Sequence, residues 1–107
     1  MSFIEAYAEK FRAALTRKEP AIRDLYDIYF AIINEYLQIN DQQLLTFIDK
    51  KLQVPGNENL DISPSRKDAL EKQLDTQLKP VLRKSDFDNF NLNEAFEIVV
   101  QIAQKIH

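Results

Sequence analysis

The chain has 107 residues, 45% of them apolar, with one glycine and four prolines, which allows one ordinary domain with a real core and argues against a turn-rich β-sandwich or barrel. Fourteen basic and seventeen acidic residues give a net charge of −3, so the chain lacks the basic balance of a general nucleic-acid-binding protein. The absence of cysteine excludes disulfides and thiolate metal sites. Neither a bilayer-spanning apolar run nor a signal-peptide pattern is found, so a cytoplasmic location is expected.

The first two predicted helices carry the widest apolar surfaces. Ser2 and Glu5 have the spacing of a capping box, which places the start of the first helix near Ser2. Pro20 favours the start of the second helix, because the N–H that proline lacks has no intrahelical partner at that position. The apolar residues of the second helix continue to Leu37 and cover so wide a surface that other elements should pack on it from several sides.

The middle of the chain is predicted to contain a third helix and one long loop. Asn40 and Asp41 interrupt the second helix and begin the third, whose apolar stripe ends at Leu52. Residues 54–62 contain Pro55 and the only glycine, Gly56, and are therefore predicted to form the long loop.

Two more helices are predicted toward the end of the chain. Ser63 and the proline after it begin the fourth helix, which Pro80 should kink or end. Residues 85–91 are predicted to be a polar turn with two aromatic anchors, and Asn91 caps the last helix. His107, the only histidine, ends the chain, and without a partner it is not expected to act as a base or a metal ligand.

These patterns predict an all-α fold, a compact bundle of about five helices in a single domain over residues 1–107. The short link from Arg17 to Glu19 favours an antiparallel hairpin of the first two helices.

Charged residues on this hairpin form the most informative pattern in the sequence. Lys10 and Arg17 are two helical turns apart, and Asp24 and Asp27 are three residues apart, so each pair lies on one helix face. Arg23 is a helical neighbour of Asp27. In an antiparallel hairpin the two cations can face the two acids. Such a stripe is either an ion-paired lock between two helices or part of a binding site.

The same block contains two longer motifs: residues 9–17 are EKFRAALTR and residues 23–29 are RDLYDIY. They resemble a stretch of the AbiEii/AbiGii-type nucleotidyltransferase toxins of phage abortive infection, whose pattern is E-K-x-R-A-hydrophobic-x-x-R followed by R/K-D-hydrophobic-Y-D-hydrophobic-Y. Residues 73–82 and 87–96 are similar to the helical C-terminal end of these proteins, so the resemblance covers nearly the whole chain.

The resemblance implies a nucleotide site. It assigns catalytic roles to Lys10, Asp24 and Asp27, and it assigns phosphate binding to Arg17 and Arg23. The chain is then expected to be the C-terminal helical accessory domain of a toxin–antitoxin nucleotidyltransferase. The family's catalytic module has a glycine turn and an Asp-x-Asp motif, whose acids hold a metal ion that bridges the nucleotide phosphates.

This catalytic pattern is not found in the sequence. Asp86 and Asp88 have the Asp-x-Asp spacing, but neither a strand nor a glycine turn precedes them, so no metal site is assigned to them. The chain alone is therefore expected to be inactive and to hold no cofactor. Mg²⁺ and a nucleoside triphosphate are implied only for the full-length family.

An alternative is a helical interaction module, either a homodimer or an antitoxin-binding surface. Partners implied by either hypothesis are an N-terminal nucleotidyltransferase module, an antitoxin or a second copy. Nucleic acid is disfavoured by the acidic total, although residues 1–23 carry five basic and three acidic groups. The aromatic residues Tyr26, Tyr29, Phe30 and Tyr36 could stack bases, but their helical spacing is more typical of a core.

Overall fold

Six α-helices make up most of the chain in the computed structural model, which describes residues 2–106. The helices are α1 (Phe3–Thr16), α2 (Ile22–Ile33), α3 (Gln42–Leu52), α4 (Pro64–Gln73), α5 (Lys84–Asn89) and α6 (Leu92–Lys105). Residues 2–106 contain no β-strand, and the predicted all-α fold is confirmed. The prediction for His107 lies outside the described residues. No helix in the described part of the chain is long and apolar enough to cross a membrane.

Four of the helices begin at a polar side chain in the segments where the sequence pattern placed helix starts. In each case a side-chain oxygen accepts a hydrogen bond from a backbone N–H two or three residues further on, at 2.8–3.4 Å. This pairing satisfies amides that have no partner within the first helical turn. The four capping residues are Ser2, Asp41, Ser63 and Asn91.

The second helix ends earlier than its apolar pattern predicts. The helix was expected to continue to Leu37, but Glu35 adopts a left-handed conformation with φ of 62°. The Glu35 N–H donates to the Ile32 carbonyl at 3.1 Å, and the Tyr36 N–H donates to the Ala31 carbonyl at 2.9 Å. These two bonds form a Schellman-type helix end. The apolar pattern continues past it because Leu37 turns back into the core, where it is buried.

The segment after α4 follows one prediction and departs from another. Pro80 cannot donate a backbone hydrogen bond, and the helix widens into a π-helical turn over Leu74–Leu78 and then tightens into a 3₁₀ turn over Lys79–Val81. The polar turn predicted for residues 85–91 is wrong, because Lys84–Asn89 form the short helix α5. Phe87 packs against the core and holds this helix to the rest of the domain.

Helices α1 and α2 form the predicted antiparallel hairpin, and the core is built around it. Helix α1 also packs against α3 and α6, and α2 packs against α4 and α6. Phe11, Leu15 and Ile28 are completely buried, and each such side chain contributes roughly 1.5–3 kcal/mol relative to an exposed one. The radius of gyration is 13.3 Å, close to the value of about 13 Å expected for a compact domain of this length.

Candidate functional site

A lysine on α1 and an aspartate on α2 form the closest ion pair between the two helices. The Lys10 Nζ atom donates a hydrogen bond to Asp27 Oδ2 at 2.9 Å, and the two side chains are 30% and 44% exposed. This bond raises the pKa of the Lys10 ammonium, although partial burial acts in the opposite direction. Burial, and next the charge of Asp27, raise the pKa of the neighbouring Tyr7 phenol. The pair therefore keeps Lys10 charged at one position on the hairpin.

The second predicted pair, Arg17 and Asp24, is much looser. The Arg17 Nη1 atom lies 3.9 Å from Asp24 Oδ2, at the limit of a salt bridge, and the Arg17 side chain is 53% exposed. Burial raises the pKa of the Asp24 carboxyl, although the charges of Lys10 and Arg17 act to lower it. The hairpin thus holds a partly buried acid beside a half-exposed guanidinium that is too distant for a hydrogen bond to it.

These residues border a shallow groove of about 390 Å³ on the outside of the hairpin. Its charged lining consists of three cations, Lys10, Arg12 and Arg17, and two acids, Glu9 and Asp24. Glu9 and Arg12 belong to the same sequence block but were not among the predicted site residues. They are three residues apart and paired, and the hydrogen bond from Arg12 is the main cause that lowers the pKa of Glu9. The groove has a small excess of positive charge.

The structure does not bring every candidate residue to this groove. Arg23 is exposed and is not part of the groove lining, and no acidic group of residues 2–106 lies within 4 Å of its guanidinium. Asp27 contacts the groove only through its bond to Lys10. Lys10, Arg17 and Asp24 are therefore the predicted residues that share one surface.

A buried arginine on α4, which was not among the predicted site residues, supports the end of α1. Arg66 is only 5% exposed. Its guanidinium donates hydrogen bonds to the carbonyl oxygens of Ala14 and Arg17, both at 2.8 Å, and of Ala13 at 3.3 Å. The Ala13 carbonyl also accepts the backbone N–H of Arg17 at 3.0 Å. The last carbonyls of a helix lack a full set of intrahelical partners, and a cation at a helix C-terminus is favourable. Arg66 therefore fixes the backbone that carries Arg17.

A glutamine on the same helix fixes the beginning of α2. The Gln73 side-chain amide donates to the Pro20 carbonyl at 2.7 Å, and its oxygen accepts from the Ile22 N–H at 2.8 Å. Ala21, the residue before α2, provides no side-chain cap. Gln73 thus supplies from another helix the cap that the local sequence lacks.

The described residues do not fit a metal centre of their own. No group of three or more His, Asp or Glu side chains within residues 2–106 is placed to hold a metal ion, and Asp24 and Asp27 both face cations. Asp86 and Asp88 are both exposed on α5, where a separation of two residues directs side chains to different helix faces. No chemical step is therefore derived through Mg²⁺ in this chain.

One protein-family model matches almost the whole chain. Its description is "Nucleotidyl transferase AbiEii toxin, Type IV TA system", and the match covers residues 1–101. This is the family indicated by the charged block of the hairpin, so that resemblance is confirmed. No curated protein and no solved structure is significantly similar to the chain.

Proposed function

Because the chain belongs to the AbiEii nucleotidyl transferase toxin family, we propose that it is a helical accessory domain that forms one wall of a nucleotide site. In this proposal Lys10 and Arg17 neutralise the charge of a nucleoside triphosphate, while the acids that hold a divalent metal lie in a separate catalytic module. Phosphoryl and nucleotidyl transfer depend mainly on positioning and charge neutralisation, so a cationic wall from a second domain contributes directly to such a site.

The observation that carries this proposal is the loose contact of Arg17 with Asp24. A guanidinium has a planar set of donors that matches the oxygens of a phosphate. At 3.9 Å from its acid and half exposed, Arg17 loses little when it turns toward an incoming phosphate. A tightly bonded arginine would first have to break a strong ion pair.

The other candidate residues take supporting roles in the same proposal. The bond from Lys10 to Asp27 at 2.9 Å orients the ammonium along the groove, where it adds positive charge. Asp24 orients Arg17 in the absence of nucleotide. Arg23, which is exposed outside the groove, contacts a more distant part of the nucleotide.

Nucleotide binding tests the role of Arg17. We would titrate the protein with each of the four nucleoside triphosphates and with inorganic tripolyphosphate, and measure affinity by calorimetry. Loss of a charge-assisted hydrogen bond in Arg17→Gln should weaken binding about tenfold. Lys72→Gln is the matched control. Lys72 is exposed on α4 and lies outside the groove, so its substitution removes one positive charge without changing the groove. Equal affinities of the two variants would exclude a specific role of Arg17.

A transfer assay tests where the chemistry resides. The chain, incubated with labelled nucleoside triphosphate and Mg²⁺, is expected to label no acceptor, and inspection of the coding sequence before Met1 should show whether a glycine-turn and paired-acid module is encoded there. Nucleotide transfer by this chain alone would contradict the assignment of the catalytic acids to another module.

A second candidate function is a helical interaction module that binds an antitoxin or a second copy of the chain. It is favoured by three large apolar side chains at and just after the C-terminal end of α2, Phe30, Ile33 and Tyr36, which are 45%, 54% and 64% exposed. Exposed apolar side chains that adjoin one another mark interaction surfaces. Light scattering tests this function, since a strict monomer with no affinity for its cognate antitoxin would exclude it.

A further inference from the structure

A small aromatic groove lies between the C-terminal half of α2 and α5, separate from the charged groove of the hairpin. Its volume is about 280 Å³, below the range of about 300–1,000 Å³ typical of sites for drug-sized molecules. Four aromatic rings line it, from Tyr26, Tyr29, Phe30 and Phe90. A space of this size fits one long side chain better than a nucleotide.

The four rings form a continuous aromatic wall. The centroid of the Phe90 ring lies 5.3 Å from Tyr29 at an angle of 88°, and 5.7 Å from Tyr26 at 57°. The Phe30 ring lies 6.2 Å from Tyr26. Faces of aromatic rings carry negative electrostatic potential and attract cations, most strongly a guanidinium or an ammonium group.

The groove also contains an acid and no cation. Asp86 is exposed on α5 and lines the groove, whereas no lysine or arginine is part of its lining. After burial, the charge of Asp86 is the largest cause that raises the pKa of the Tyr26 phenol, which places the carboxylate near that ring. A phosphate group would be repelled by this acid, so the groove is complementary to a cationic ligand.

We propose that the aromatic groove binds an arginine side chain of a partner polypeptide, with the guanidinium against the rings and Asp86. This inference rests on the second candidate function, the interaction module, and not on the nucleotide site. The partner's neighbouring apolar residues then pack on the exposed end of α2, formed by Phe30, Ile33 and Tyr36. Arginine fits better than lysine, because its planar group both stacks on rings and pairs with a carboxylate in two-point geometry.

Peptide titrations followed by ¹⁵N-HSQC spectra of the full chain test the proposal. The probes are acetyl-Leu-Arg-Leu-amide and the same peptide with citrulline, which keeps the shape of arginine and removes its charge. The arginine peptide should shift the amides of α2 and α5 and bind about fivefold more tightly than the citrulline peptide. The Asp86→Asn variant should bind the arginine peptide about threefold more weakly. Phe30→Leu keeps apolar area and removes the ring, and it should lower the affinity to a similar extent.

Asp88→Asn is the matched control for Asp86→Asn. Asp88 is also exposed on α5 but does not line the groove, so its loss should leave the affinity unchanged. Equal affinity for the two peptides, equal effects of the two aspartate variants, or no binding at the highest soluble concentration would overturn the proposal. If light scattering still shows a dimer or an antitoxin complex in that case, the interaction module stands and only the arginine site is excluded.

Discussion

The guanidinium of Arg66 donates a hydrogen bond of 2.8 Å to the carbonyl oxygen of Arg17, so a buried arginine of α4 holds the backbone of a half-exposed arginine at the end of α1. The side chain of Arg17 can therefore reorient while its Cα position stays fixed. This arrangement links the packing of the core to the geometry of the candidate nucleotide groove.

Removal of the Arg66 side chain should destabilise the whole domain. Arg66→Ala would leave the carbonyl oxygens of Ala13 and Ala14 buried without these partners, and we expect a loss of about 3 kcal/mol in the free energy of unfolding. Arg66→Lys cannot reproduce the three-point geometry and should lose about 2 kcal/mol. Urea unfolding followed by circular dichroism measures both, with Lys72→Ala on the exposed face of α4 as the control. A loss below 1 kcal/mol for Arg66→Ala would contradict this role.

Contacts close in sequence could be predicted well, and contacts between distant segments could not. The caps at Ser2 and Ser63 act on amides three residues away, so spacing alone was sufficient. Arg66 and Gln73 act on residues about fifty positions away. Nothing in a single sequence indicates which polar side chain of α4 will be buried against α1 and α2.

For the candidate sites as well, the contact on the hairpin could be predicted from the sequence, but the exposure of the aromatic residues could not. Helical spacing placed Lys10 near Asp27 because both lie on a hairpin with a short link. It assigned Phe30 and Tyr36 to the core, whereas both are exposed. Tyr36 is exposed because the chain leaves the helical path at the left-handed Glu35, which the apolar pattern does not reveal. Phe30 lies within α2, on a part of its wide apolar surface that stays 45% exposed.

The left-handed position of Glu35 predicts a stabilising substitution. A residue with a Cβ atom in this conformation costs about 1–2 kcal/mol, and glycine removes this cost but loses about 0.5–1 kcal/mol through greater freedom in the unfolded chain. Glu35→Gly should therefore raise the free energy of unfolding by about 0.5–1 kcal/mol in urea unfolding. Asn34→Gly, at a residue with φ of −90°, should lower it. A gain at both positions would show that backbone conformation is not the cause.

The bond between Lys10 and Asp27 should make a modest contribution to stability. Both side chains are partly exposed, so a double-mutant cycle of Lys10→Met and Asp27→Asn should give a coupling of about 0.5–1 kcal/mol. Because the pKa of Lys10 is raised by this bond, the contribution is complete below the ordinary lysine pKa and is lost only as the pH rises through the higher folded value. Thermal unfolding at pH 7 in low and high salt measures the coupling, which salt should reduce. Zero coupling would mean that the pair does not hold the hairpin together.

The Lys10–Asp27 bond is expected to stabilise the protein, whereas the Asp24 carboxylate is expected to lower its stability at neutral pH. Burial raises its pKa in the folded protein, so the protonated form is favoured by folding. The stability that protonation gives is complete below the ordinary aspartate pKa and is lost as the pH rises through the folded value.

Asp24→Asn, which imitates the protonated state, should therefore raise the Tm by a few degrees at pH 7. The difference from the natural protein should shrink as the pH falls to 4. Differential scanning calorimetry at both pH values measures this change, and Asp88→Asn at an exposed position of α5 should change the Tm little at either. A lower Tm for Asp24→Asn at pH 7 would mean that the attraction of Lys10 and Arg17 for the carboxylate outweighs the cost of its burial. Asp24 would then be a structural ion-pair partner and not an acid retained at a cost in stability for the nucleotide site.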